Sequence, residues 1–138
     1  MCIQAAAATT STGGFTSESA GIDLEMIHVH RWDEIALEKI TEMISRKIVT
    51  GDREMLAQTY LKRGAQVPLH THDSEQMTYV LQGALRFVVD GEEIIVKEGE
   101  VLHIPSGTPH QAEALEDTFE LDVFSPIRTD WLEAEPVR

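Results

Sequence analysis

The spacing His70-x-His72, set between Gly64 and Gly83, constrains this chain of 138 residues more than any other feature. Alternate side chains of a β-strand leave the same face, so histidines one residue apart can aim both imidazoles at one point. Pro68, two residues earlier, suits an edge strand or a strand start and does not fit a helix interior. Gln76 then opens the apolar run MTYVL, which can return beside the first segment and ends at Gly83. A second stretch, GEVLHIPSGTPH from Gly99 to His110, reads as a strand, a turn on Pro105, Gly107 and Pro109, and a new strand starting at His110. Two histidines at strand spacing, an amide oxygen and a distant histidine after a rigid turn have the donor chemistry of a metal site. The candidate ligands are His70, His72, Gln76 and His110, with Glu75 or Asp73 as alternatives to Gln76. His28, His30 and His103 have no comparable setting and are read as structural.

These two segments resemble the paired motifs of the cupin superfamily. Against the first motif, G-x5-H-x-H-x3-E-x6-G, the chain matches at Gly64, His70, His72 and Gly83, and Gln76 stands where the family carries Glu. Against the second, G-x5-P-x-G-x2-H-x3-N, it matches at Gly99, Pro105, Gly107 and His110, and Ala114 replaces the Asn. The resemblance covers residues 40–125. It implies an all-β fold, the cupin double-stranded β-helix or jelly-roll barrel, with one divalent transition metal. The donor set leaves zinc, nickel, iron, manganese and copper open.

The rest of the chain agrees with such a barrel. Short alternating segments run from Thr41 onward, separated by tight turns at Gly51-Asp52 and Asp90-Gly91, as in a sandwich or barrel. A single domain is expected over residues 26–138, after a disordered segment 1–25 that is small, polar and without the basic start of a secretion signal. Residues 26–33 are expected to form an edge strand, and pairing of such strands between subunits would give a homodimer. The formal net charge of −13 argues against nucleic acid and anionic membrane surfaces as partners. No stretch approaches the length of a membrane-spanning helix. The lone Cys2 offers no disulfide framework, so a cytoplasmic setting is expected.

Two ambiguous strands bear on chemistry. Ile44, Arg46 and Ile48 share one face, so Arg46 points into the barrel if that face is interior and snorkels at the surface otherwise. Near the end, Phe119, Leu121 and Val123 alternate with Glu120, Asp122 and Phe124. If the second set faces inward, Asp122 is a candidate acid or base with Phe124 as a wall; the opposite register leaves it solvated. The closing LDVFSPIRTDWL is similar to the end of a cupin subgroup that also carries Gln in the first motif. Its characterised members convert 4,5-unsaturated uronates from pectin and alginate into linear ketouronates. The resemblance implies that Asp122, Phe124 and Arg128 line the metal pocket. Three imidazoles and an amide would leave the metal's charge uncompensated and favour a small anionic substrate. Arg128 or Arg46 would hold its carboxylate. Two rival readings share these residues: an Fe- or Cu-dependent dioxygenase, and a metal-dependent binding protein without turnover.

Overall fold

The computed structural model describes residues 26–133. Of these, Arg31–Glu133 belong to one compact unit and Met26–His30 to another. The segment expected to be disordered, 1–25, lies outside the described residues.

Ten strands form two antiparallel sheets. They are β1 (Glu38–Lys39), β2 (Ile44–Thr50), β3 (Met55–Leu61), β4 (Gln66–His70), β5 (Glu75–Gln82), β6 (Ala84–Val89), β7 (Glu92–Lys97), β8 (Val101–Ile104), β9 (His110–Ala114) and β10 (Thr118–Ser125). One short helix, α1 (Thr129–Glu133), follows. The larger sheet has the order β1-β2-β3-β10-β5-β8 and the smaller one β4-β9-β6-β7. This is the expected all-β double-sheet jelly roll.

The core fills the space between the sheets. Leu85 and Phe87 on β6 and Val80, Leu61 and Ile104 on the facing sheet are almost fully buried. Burying each such side chain contributes about 1.5–3 kcal/mol. A second cluster, Met55, Ala57 and Phe124, packs with Ile48, Ile127 and Trp131.

The edge strand expected over residues 26–33 does not form. Trp32–Glu34 is instead a 3-10 turn, in which the Glu34 N–H donates to Arg31 O and Arg31 grips the Asp33 carboxylate. The Arg31 and Trp32 carbonyls accept within that turn, from Glu34 and Ile35, and not from a neighbouring strand. The sheet edge is taken by β1, whose Glu38 lies opposite Arg46.

The turns behave as their residues require. Asp90 (φ 49°) and Gly91 (φ 83°) are both left-handed, as a type I′ hairpin between β6 and β7 demands. Gly83 (φ 99°) sits where a Cβ would come within 2.5 Å of Asp117 O and Thr118 Oγ1. Gly83→Ala is therefore expected to destabilise the fold by about 3 kcal/mol, combining left-handed strain with overpacking against backbone. A urea midpoint within error of wild type would contradict this.

Candidate metal centre

Three backbone carbonyls set the histidine tautomers. The Nδ1 atoms of His70, His72 and His110 each lie 2.8 Å from a carbonyl oxygen, those of Pro68, Ser74 and Thr108 respectively. A carbonyl only accepts, so each Nδ1 carries the proton and donates it, and each Nε2 keeps a lone pair. The ligand nitrogens of the three rings lie within 4.8 Å of one another.

The elements that bring them together are legible. His70 and His110 are direct partners across β4 and β9, with ring centres 4.2 Å apart. Pro68 has no N–H for the ladder, and the register shifts between Val67 and His70 on this edge strand. Strand alternation does not place His72, because β4 ends at His70. His72 is held instead by its bond to Ser74 O and by the Gly107 N–H, which donates to His72 O at 2.9 Å.

Gln76, rather than Glu75 or Asp73, faces the histidines. Glu75 points outward to an exposed pair with His103 at 2.8 Å, and Asp73 is also exposed. Gln76 is buried, with its Oε1 3.0 Å from His72 Nε2. Its Nε2 donates to Thr78 Oγ1 at 2.8 Å, and that hydroxyl donates to Asp122 Oδ1 at 2.6 Å.

These residues fit a metal ion. His110 Nε2 is buried without a hydrogen-bond partner among the described residues. His72 Nε2 and Gln76 Oε1 are both acceptors at 3.0 Å, an unfavourable pairing that a shared cation would reverse. Burial keeps the rings ready to ligate by disfavouring the imidazolium: the pKa of His110 is pushed down to about 4, and that of His72 is lowered by burial and then by Arg128.

The second set of candidates lines the same cavity of about 400 Å³. On β10 the face carrying Glu120, Asp122 and Phe124 is the buried one, which resolves the register ambiguity. Asp122 is raised above the usual carboxylate range by burial, against the opposing hydrogen bond from Thr78. Phe124 packs edge-on against His72 at 5.6 Å and Trp131 at 4.9 Å. Arg128 is buried and binds Asp130 through Nε and Nη2 at 3.0 and 2.8 Å. Arg46 also turns inward; its guanidinium lies 3.9 Å from the Trp131 ring centre and its Nε 3.6 Å from Glu38.

Sequence reasoning had not picked out Thr78, Thr59, Glu120 or Trp131 as site residues. Thr78 is two residues from Gln76 and Glu120 two from Asp122, so alternation along β5 and β10 carried a signal for both. No periodicity marks Trp131, which reaches the cavity from α1.

The His110 shift makes acid sensitivity testable. In the metal-free protein, unfolded His110 takes up a proton below about pH 6.5, whereas folded His110 resists until about pH 4. Its contribution is therefore complete above pH 6.5 and is lost as pH falls toward 4, on the order of 3 kcal/mol in total. Glu120 and Asp122, both raised by burial, act with the opposite sign. The stability difference between wild type and His110→Gln isolates the histidine. That difference is expected to shrink steadily between pH 6.5 and 4 in urea titrations, and a constant difference would contradict it.

A cupin domain model matches residues 58–125. The pectin degradation protein KdgF of Dickeya dadantii is 34% identical over 103 residues, 72% of this chain and 94% of that protein. Among solved structures, KdgF from a Halomonas species aligns with a TM-score of 0.68 at 34% identity, covering 72% of this chain and 93% of that one. An RmlC-like cupin from Shewanella frigidimarina aligns with a TM-score of 0.72 at 24% identity, over 76% of this chain and 96% of that one, a likeness of fold. With two sheets in jelly-roll order, three convergent histidines and these relatives, the chain belongs to the cupin family.

Proposed function

We propose that this cupin is a metal-dependent enzyme that opens an unsaturated uronate, or a closely related sugar acid, to a linear keto acid without oxidation. The observation that carries the reading is the Gln76–Thr78–Asp122 hydrogen-bond chain, which joins the histidine cluster to a buried carboxyl group in one cavity. The likeness to the pectin degradation protein KdgF supports the choice of a pectin-derived acid.

A divalent metal held by His70, His72, Gln76 and His110 would supply Lewis-acid polarisation of a substrate oxygen. The protein's own groups do the rest. Arg128 holds the substrate carboxylate against the repulsion of a chain with net charge −13. Phe124 and Trp131 wall the cavity and limit water. Asp122, whose pKa burial raises, delivers a proton from its carboxyl group to C4 of the 4,5-unsaturated ring. A water oxygen bonds to C5 and returns one proton to Asp122, the bond from C5 to the ring oxygen breaks as that oxygen takes the other proton and a ketone is left, and the C1 hydrate loses water. The water consumed is returned, so the sum is an isomerisation and no oxidant is needed.

The test is turnover of 4,5-unsaturated galacturonate by protein of known metal content, with and without oxygen. Loss of the unsaturated-bond absorbance at equal rates in both is expected. Oxygen consumption on a diketone or phenolic substrate with iron or copper bound would replace this reading with the dioxygenase. Metal and uronate binding without turnover would replace it with the binding protein.

The homodimer is proposed through a sheet face. Outward residues Tyr60, Met77 and Tyr79 are exposed and flank Phe119, Leu121 and Val123 on adjacent strands, and the exposed Val101 lies opposite Tyr79 one strand further. In so acidic a chain, this largely uncharged face lets two copies meet without opposing carboxylates. Light scattering is expected to give twice the chain mass, and a monomer at micromolar concentration would overturn the dimer.

A further inference from the structure

The four buried side-chain polar atoms without a hydrogen-bond partner among the described residues are His110 Nε2, Arg46 Nε, Thr59 Oγ1 and Glu120 Oε2. Folded proteins carry a few such atoms per hundred residues, so their number alone says little. Their location says more. All four residues line the one cavity, and three of them form a single cross-strand row. Thr59 on β3 lies opposite Arg46 on β2 and opposite Glu120 on β10, and all three side chains are turned inward and buried. Arg46 Nε has only Glu38 nearby, at 3.6 Å and beyond hydrogen-bond reach, and Thr59 and Glu120 adjoin Asp122, whereas the Gln76–Thr78–Asp122 chain is paired.

We propose that the row Arg46–Thr59–Glu120 is a second subsite of the cavity, which recognises the hydroxyl groups of a polyhydroxylated acid whose carboxylate end is held near the histidines. The row supplies a cationic N–H donor, a hydroxyl that both donates and accepts, and a carboxyl group, the mixture that sugar hydroxyls pair with. Along β10, Asp122 separates the row from Phe124, whose strand partner is Gln76. Each two-residue step covers about 6.6 Å. A two-carbon acid held at the histidines stops short of Asp122, whereas a six-carbon sugar acid, roughly one such step long, covers the step to Asp122, leaving only the reach of the inward Arg46 and Glu120 side chains to close. Burial and the neighbouring Asp122 hold Glu120 well above the usual carboxylate range, so its carboxyl can donate as well as accept beside an anionic ligand. The inference rests on the proposed function only for the placement of the carboxylate end.

The probes are D-galacturonate and glycolate, titrated calorimetrically into the metal-loaded protein. In wild type, galacturonate is expected to bind at least about tenfold more tightly, each added hydrogen bond being worth a several-fold gain. Thr59→Val and Glu120→Gln should each cut that preference several-fold, leaving glycolate affinity and metal content unchanged, while Thr59→Ser keeps the preference. Thr59→Val is also expected to melt no lower than wild type without ligand, because it removes an unpaired buried hydroxyl at constant volume; a purely structural Thr59 would lower it. If Glu120→Gln fails to fold, the Thr59 pair decides alone. Equal affinities for the two probes in wild type, or a preference unchanged in the variants, would overturn the subsite and leave the row as a water-filled pocket. Galacturonate binding that depends on the row, without turnover of the unsaturated uronate, would sink the proposed reaction and keep the subsite. Turnover with no dependence of binding on the row would do the reverse.

Discussion

His110→Ala is expected to lower metal affinity by more than about 100-fold while the barrel stays folded. Changes to residues that merely orient ligands cost about 10–100-fold, and His110 is itself a proposed donor. Its Nδ1 is committed to Thr108 O, and its Nε2 is buried without a partner among the described residues. Removing the ring therefore takes away a donor whose lone pair has no other use. The strand survives, because β9 is held on both sides by β4 and β6, and Ala112 and Ala114 already pack in the core. Competition against a chelator measures the affinity, and melting with and without metal shows whether the metal-dependent rise disappears. His103→Ala is the control: its ring is half-exposed and paired with Glu75, so metal affinity should not change. A His110→Ala protein that still binds one metal with wild-type affinity would refute the centre.

Asp122→Asn is expected to reduce turnover of the unsaturated uronate by about 10²–10⁴-fold, the usual worth of a positioned general acid. Asparagine matches the shape of aspartic acid, and its Oδ1 can still accept from Thr78 Oγ1, which donates to Asp122 at 2.6 Å in the native site. Folding and metal content should therefore be preserved. What is lost is the carboxyl proton, since an amide does not give one up near neutral pH. The effect should fall on kcat, in contrast to the binding effects expected at Thr59 and Glu120. An Asp122→Asn protein that is folded, metal-loaded and turns over at the wild-type rate would remove Asp122 from the chemistry.

These expectations draw unequally on local and long-range information. The β6–β7 hairpin was readable because a left-handed pair at Asp90-Gly91 is a property of two adjacent residues. His70 and His110 were readable because Pro and Gly at fixed offsets impose turns that the rest of the barrel hardly changes. His72 joins the histidine cluster for a reason that strand spacing did not supply: the strand stops short of it, and a backbone carbonyl holds its ring. The segment 26–33 misled because its alternation suits a strand, while the choice of which backbone joins the sheet edge belongs to the whole sheet.

The sequence by itself determined the all-β class, the two motif segments and the histidines, since each depends on residues a few positions apart. Tertiary structure alone decided which face of β2 and β10 looks inward. On β10 both faces carry apolar side chains, because the outer one, Phe119, Leu121 and Val123, is itself hydrophobic. A period of two cannot then tell inside from outside. Pairing with β3 and β5 settles it, turning Asp122 and Glu120 into the cavity. The same registers align Arg46, Thr59 and Glu120 in one row, from three strands that only the folded sheet makes neighbours.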